Sequence, residues 1–322
     1  MTSAAVSEHD RAQDAFRHEA LFYAGPDEFL NGTLGFIQEG LREREPMLVV
    51  VDAAKIESLR DALGADAGAV CFADMAEVGH NPALIIPAWR AFVDEHGPTG
   101  RRLRGIGEPI GPARTVDELV ECQRHETLLN VAFDGTPAWW LMCPYDVSVL
   151  SPDVIDEAYR SHPFIAQDGI RRSSNLYRLP ADMLGGSLPA PPENSAEIAF
   201  RTGDLGAVRA FVNGQAEAVG LDGSRIGDLA LAITELATNS IRHGRGGGTL
   251  RVWRDGSMLV AEVRDAGRIL EPLVGREPPS MLAEGGRGLW LVNHLCDLVQ
   301  VRSVLSGTSV RIHLAVHAQA RV

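Results

Sequence analysis

The rhythm of apolar residues changes once along this chain, and the change constrains its fold more than any other feature. Before residue 169 short apolar runs alternate with stretches of helical period: LFY, PDEFLNGTLGFIQEGLRE, MLVVV, AKIESLRDAL, AVCFAD and ALIIPAWRAFVDEH, then LRGIGE, TVDELVECQRHETLLNVAF, AWWLMCP and SPDVIDEAYRSH. Short strand runs between longer helices predict βα units and a mostly parallel sheet. The stretch RRSSNLYRLPADMLGGSLPAPPENS after Ile170 is rich in Pro, Gly and Ser and without a period, which predicts a linker over 169–195.

Beyond it the pattern differs. Helical stretches over 204–219 and 224–244 precede TLRVWR and SMLVAEVRD, joined through Asp255-Gly256, a tight-hairpin signal. LVQVRSVL and SVRIHLAV come next, joined around Ser306-Gly307-Thr308. In the last strand Val310, Ile312 and Leu314 face one way and Arg311 and His313 the other. An antiparallel sheet with one covered face and helices packed on it, an α+β sandwich, is expected.

A length of 322 residues fits two such domains, and 45% apolar with 23% charged residues fits ordinary globular cores. The longest apolar runs fall far short of the roughly 20 residues of a membrane-spanning helix. Residues 1–15 carry acids and no apolar stretch after a basic start, so they read as a disordered leader rather than a secretory signal, and the protein as cytoplasmic. Cys71, Cys122, Cys143 and Cys296 show no CxxC pairing and read as small buried hydrophobes. A net charge of −13 without a basic run disfavours nucleic acid and suits a protein partner.

On the helix from Ser224, Ile226, Leu229, Ile233, Leu236 and Ile241 make an apolar stripe. Glu235, Asn239 and His243 stand four apart on another side. An amide oxygen is a hard Mg²⁺ ligand, and a carboxylate beside it can accept a proton. Such a pair alone reads as a solvated helix face; two downstream motifs give it context. Asp265-Ala266-Gly267 ends a strand, where a carboxylate can bond an adenine amino group and Gly admits the base. GGRGLWLV runs from a glycine turn directly into a helix start, offering backbone N–H groups to a phosphate.

This ordered set, closed by Gly307-Thr308, resembles the N, G1, G2 and final Gly-Thr boxes of the GHKL ATPase superfamily, with the Bergerat sandwich fold, over 196–318. The resemblance implies Glu235 as general base, Asn239 as Mg²⁺ ligand, and Asp265, Gly267 and Thr308 around the adenine. His243 joins the nucleotide contacts, Gly285, Gly286, Arg287, Gly288 and Leu289 the phosphate loop, and residues 268–284 a lid. Arg268-Ile269 stand where the family often has a second Gly. No phospho-acceptor helix pair precedes the domain, and ELATNSIRHG with GGRGLWLV is similar to the anti-sigma factor serine kinases. That family implies ATP and Mg²⁺ as cofactors, a sigma factor and an anti-anti-sigma (STAS-type) protein as partners, no direct nucleic-acid or membrane contact, and a possible homodimer. The alternative is an ATP-gated sensory module that sequesters a partner without phosphorylating it.

Residues 16–168, through HEALFYAGPDEFLNGTLGFIQEGLREREPMLVVV, resemble the MEDS sensory domain, which implies a RecA-like α/β fold. AGPDEFLNG lacks the lysine and Ser/Thr of a phosphate-binding loop, so nucleotide hydrolysis is not expected there. His18 and the helix cluster Glu121, Cys122, His125 and Glu126 are the candidate sensor-ligand contacts. Cys122 and His125 share a face that suits a metal or haem, against the plainer reading of a solvated face and a core thiol. Trp139 and Trp140 read as core.

Overall fold

A computed structural model describes residues 15–136, 138–279 and 286–316. The predicted leader, except Ala15, lies outside the described residues, as does Gly285. The chain forms two compact units that divide between Met183 and Leu184.

The first unit is a seven-stranded sheet in the order β3-β2-β4-β5-β1-β6-β7. Its chain order is β1 (Arg17–Tyr23), α1 (Gly25–Glu43), β2 (Met47–Val51), α2 (Ala53–Leu63), β3 (Cys71–Asp74), α3 (Ile85–His96), β4 (Leu103–Gly107), α4 (Val116–Ala132), β5 (Trp139–Asp146), α5 (Pro152–Ser161), β6 (Phe164–Gln167) and β7 (Ile170–Ser173). All pairings through β6 are parallel. Parallel strands need crossovers, and the helices between them supply these while covering the sheet, so central strands are apolar throughout rather than alternating. Phe29, Phe36, Ile37, Val49, Leu59, Ile106 and Met142 pack together in that core. Trp139 is fully buried against Trp89 and Phe133, as expected.

The helix starts reflect local chemistry. The Asp52 carboxylate accepts the Lys55 N–H at 2.9 Å, and Thr115 and Glu118 form a reciprocal capping box ahead of α4.

Part of the stretch read as linker is sheet. Asp168 and Gly169 both take positive φ, 51° and 74°, and this tight turn folds β7 back antiparallel on β6. All of β7 is exposed, and its two arginines suit an unpaired edge. Cys71, read as buried, is exposed at the start of edge strand β3.

The second unit is an antiparallel sheet in the order β11-β12-β10-β9-β8. Its elements are β8 (Ala196–Arg201), α6 (Leu205–Ala218), α7 (Gly223–His243), β9 (Gly247–Asp255), β10 (Met258–Asp265), α8 (Arg287–Leu295), β11 (Leu298–Val304) and β12 (Gly307–Ala315). Leu229, Ile233 and Leu236 of α7 pack with Val252, Val263, Val310, Ile312 and Leu314 of the sheet. The single covered face expected from the alternation needs correction. Arg311 and His313 do point the other way, yet each is only 5% exposed. A polar layer makes this possible: Arg311 forks onto Glu262 at 2.7 and 3.0 Å, stacks over Trp253 and donates to the Pro189 carbonyl, and His313 meets Gln300 at 3.1 Å.

Candidate nucleotide site

Helix α7 has two jobs. Its apolar stripe anchors it to the sheet, which fixes where the polar stripe points. Asn239 and His243 line a cavity of about 240 Å³ together with Asp265, Gly267, Gly286, Gly288, Leu289 and Thr308, bringing eight of the sequence-predicted residues to one place. Glu235 stands at its edge. A Cβ built on Gly288 would lie 3.0 Å from both Glu235 Oε2 and Asn239 Nδ2, so the two side chains face the first turn of α8. Arg287 opens α8 and is exposed, outside the cavity lining.

At the other end Asp265 closes β10. Its Oδ1 accepts the Gly267 N–H at 2.7 Å and its Oδ2 accepts the Ser240 hydroxyl at 2.6 Å. Two oxygens with about four lone-pair positions retain acceptor capacity toward the cavity. Thr308 donates to the Gly267 carbonyl at 3.0 Å and meets Ser303 at the same distance. Gly267 is required by crowding: a Cβ there would come within 2.5 Å of the His243 carbonyl. The contact of His243 with this turn is thus through its backbone, at the end of α7.

Sequence reading missed Ser240 and the apolar walls Leu236, Val263 and Val310, and it placed Ile269 and Val274 in a lid where the structure has them in the cavity wall. The run Thr238-Asn239-Ser240 inside an apolar helix was the available signal for Ser240; the walls carried none, because they look like any core residue. Residues 280–284 of the predicted lid lie outside the described residues, and its described part, 268–279, is less free than a lid suggests. Ile269 N–H donates to Ser303 Oγ at 2.8 Å, Asn293 donates to the Gly275 carbonyl at 2.7 Å, and Leu273 and Arg276 are buried.

In the first unit the sensor candidates do not assemble as expected. His18 and Glu126 meet at 3.1 Å, but Cys122 Sγ donates to the Pro109 carbonyl at 3.4 Å, and Glu121 and His125 are buried outside the group that gathers around His18. Residues one apart on a helix are turned about 100° from each other, so His125 cannot accompany Glu126 into the same contact. Burial pushes the Cys122 thiol up to about 12, which leaves it a core thiol. Cys143 and His162 stand beside His18 and Glu126 instead, and neither was signalled by spacing. No helix among the described residues is long and apolar enough to cross a membrane.

Comparison with known proteins agrees with this division. Residues 17–163 match the MEDS family, described as the methanogen/methylotroph, DcmR sensory domain, and residues 198–314 match the histidine kinase-like ATPase domain. The serine-protein kinase RsbW of Halalkalibacterium halodurans is 31% identical over 112 residues, which cover 30% of this chain and 68% of that protein. The crystal structure of the RsbU and RsbW domains of a Mycobacterium tuberculosis protein aligns at 22% identity and a TM-score of 0.31, over 40% of this chain and 34% of that one. The chain therefore belongs to the RsbW-like serine kinase family of histidine kinase-like ATPases, with a MEDS domain preceding the ATPase domain.

Proposed function

We propose that this protein is an ATP-binding anti-sigma regulator that phosphorylates a serine of an anti-anti-sigma (STAS-type) protein, under the control of its MEDS domain. The observation that carries the reading is the approach of the Glu235 carboxylate and the Asn239 amide to Gly288, at the start of a helix where a side chain would collide with both.

The residues fit a Mg²⁺-bound nucleotide. Asp265, Gly267 and Thr308 would hold the adenine between the apolar walls, and Gly286 and Gly288 would offer N–H groups and the α8 N-terminus to the phosphates. Asn239 would hold the metal through its amide oxygen. Bound ATP and Mg²⁺ would supply the phosphoryl group and neutralise its charge. Glu235 would take the hydroxyl proton as the serine oxygen bonds to phosphorus and the bond to departing ADP breaks. In this reading residues 16–168 are the RecA-like sensory domain, 196–318 the kinase domain, and the working form is cytoplasmic and a homodimer. A sigma factor would be sequestered according to the phosphorylation state of the antagonist.

Labelled ATP incubated with the full chain and its co-purified antagonist is the test. Transfer to a serine should fall by roughly 10²–10⁴ in Glu235→Gln while ATP affinity stays close to wild type. Partner release that survives Glu235→Gln but is lost in Asn239→Ala would identify a nucleotide-gated binding module instead.

A further inference from the structure

We propose that the first unit holds one divalent transition-metal ion, Zn²⁺ by its donor set, between His18, Glu126, Cys143 and His162. This goes beyond the nucleotide chemistry above and is independent of it. The four residues come from β1, α4, β5 and the residue that ends α5, and each is at most 1% exposed. One donor atom from each lies within 4.8 Å of the other three. The closest spacings are 3.1 Å from His18 Nε2 to Glu126 Oε2, 3.3 Å from His162 Nε2 to the same oxygen, and 3.4 Å from Cys143 Sγ to His18 Nε2. Donors on a tetrahedron with bonds of about 2.1 Å stand ~3.4 Å apart, which these three spacings already match.

The surroundings decide which way each ring presents its lone pair. Asn130 Nδ2 donates to the Ser161 carbonyl at 2.7 Å, which fixes the amide and leaves its oxygen as the acceptor facing His18 Nδ1 at 3.1 Å. His162 Nδ1 faces the Ala158 carbonyl at 2.9 Å. A carbonyl oxygen only accepts, so both Nδ1 atoms carry hydrogen, and a ring with its single hydrogen there turns its Nε2 lone pair inward. What they meet is a carboxylate, another acceptor. The single Cys143 S–H can serve one of these groups, and neither His162 Nε2 nor Glu126 Oε1 has a hydrogen-bond partner.

Buried acceptors turned toward one another repel, and a cation at their centre reverses the sign of every contact. Histidines that donate Nδ1–H to carbonyl oxygens and converge through Nε2 have the outer arrangement of metal-bound imidazoles. Two imidazoles, a thiolate and a carboxylate suit Zn²⁺ over Mg²⁺ or Ca²⁺, and four protein donors in a solvent-free position make a closed, structural site. The ion would fasten α4 and the end of α5 to the two central strands.

The test uses the full chain expressed in cobalt-supplemented medium, so that the buried site loads during folding. One Co²⁺ per chain is expected, with a thiolate-to-cobalt charge-transfer band and the intense visible bands of tetrahedral Co²⁺. Cys143→Ser should abolish the charge-transfer band, whereas Cys122→Ser, on the same helix as Glu126, should keep it. Asn130→Ala, which removes the partner of His18 Nδ1 together with the bond to the Ser161 carbonyl and leaves all four donors in place, should weaken retention against a chelator by roughly 10–100-fold. Glu126→Gln, nearly isosteric, should alter the visible bands and provides a second reading should Cys143→Ser fail to fold. A wild-type chain without stoichiometric metal, or a charge-transfer band that persists in Cys143→Ser, overturns the site.

Discussion

At Gly288 the useful side chain is the one that is missing. The space a Cβ would take, 3.0 Å from Glu235 and from Asn239, is where the helix N-terminus opens toward both. Gly288→Ala should therefore displace the acid and the amide, at an overpacking cost of about 1–3 kcal/mol, and weaken Mg-ATP binding by roughly 10–100-fold in titration calorimetry. The thiols give a second residue-level prediction. Burial pushes Cys122 up to about 12 and holds Cys296 above the usual thiol range, whereas Cys71 is exposed. Because the thiolate is the reacting form, iodoacetamide at pH 8 should label Cys71 in the native chain, and Cys122 and Cys296 after denaturation; early labelling of Cys122 in intact-protein mass spectra would contradict its burial.

Helix α7 shows how one element serves both packing and chemistry: period 3.6 puts Leu229, Ile233 and Leu236 on the sheet and, on an adjoining stripe, Glu235 and Asn239 toward the cavity. Strands β10 and β12 do something similar with opposite faces. Their inner face is apolar, and their outer face carries the Glu262–Arg311 pair, in which both side chains are 6% exposed. Removing one member of a buried pair leaves the other charge without its partner. Glu262→Ala should cost about 3–5 kcal/mol in urea unfolding of the second unit, well above the ~0–1 kcal/mol of an exposed pair such as Arg251–Glu197.

Across the whole molecule the two units have separate cores, and the nucleotide cavity is lined by residues of the second. Mg-ATP at 100 times its Kd should raise the stability of the second unit by about 2.7 kcal/mol, a shift that scanning calorimetry reads directly. The division into an α/β and an α+β half was legible because strand and helix periods are local, and so was the hairpin at Gly256, whose φ of 55° only a few residues tolerate. The Glu235, Asn239, Asp265 and Gly288 set was legible because each belongs to a short motif in fixed order. The turn at Asp168-Gly169 carried a readable Asp-Gly signal that the polar, proline-rich stretch after it obscured. The burial of Arg311 and His313 was hidden, since alternation tells which face a residue takes and not whether that face is covered. The His18, Glu126, Cys143 and His162 group was hidden more deeply. By itself the sequence determined periods, caps, turns and motifs, which depend on neighbours a few residues apart; the tertiary structure alone decided which donors from four distant elements point at one another, because sheet order and helix rotation are settled by the packing of the whole core.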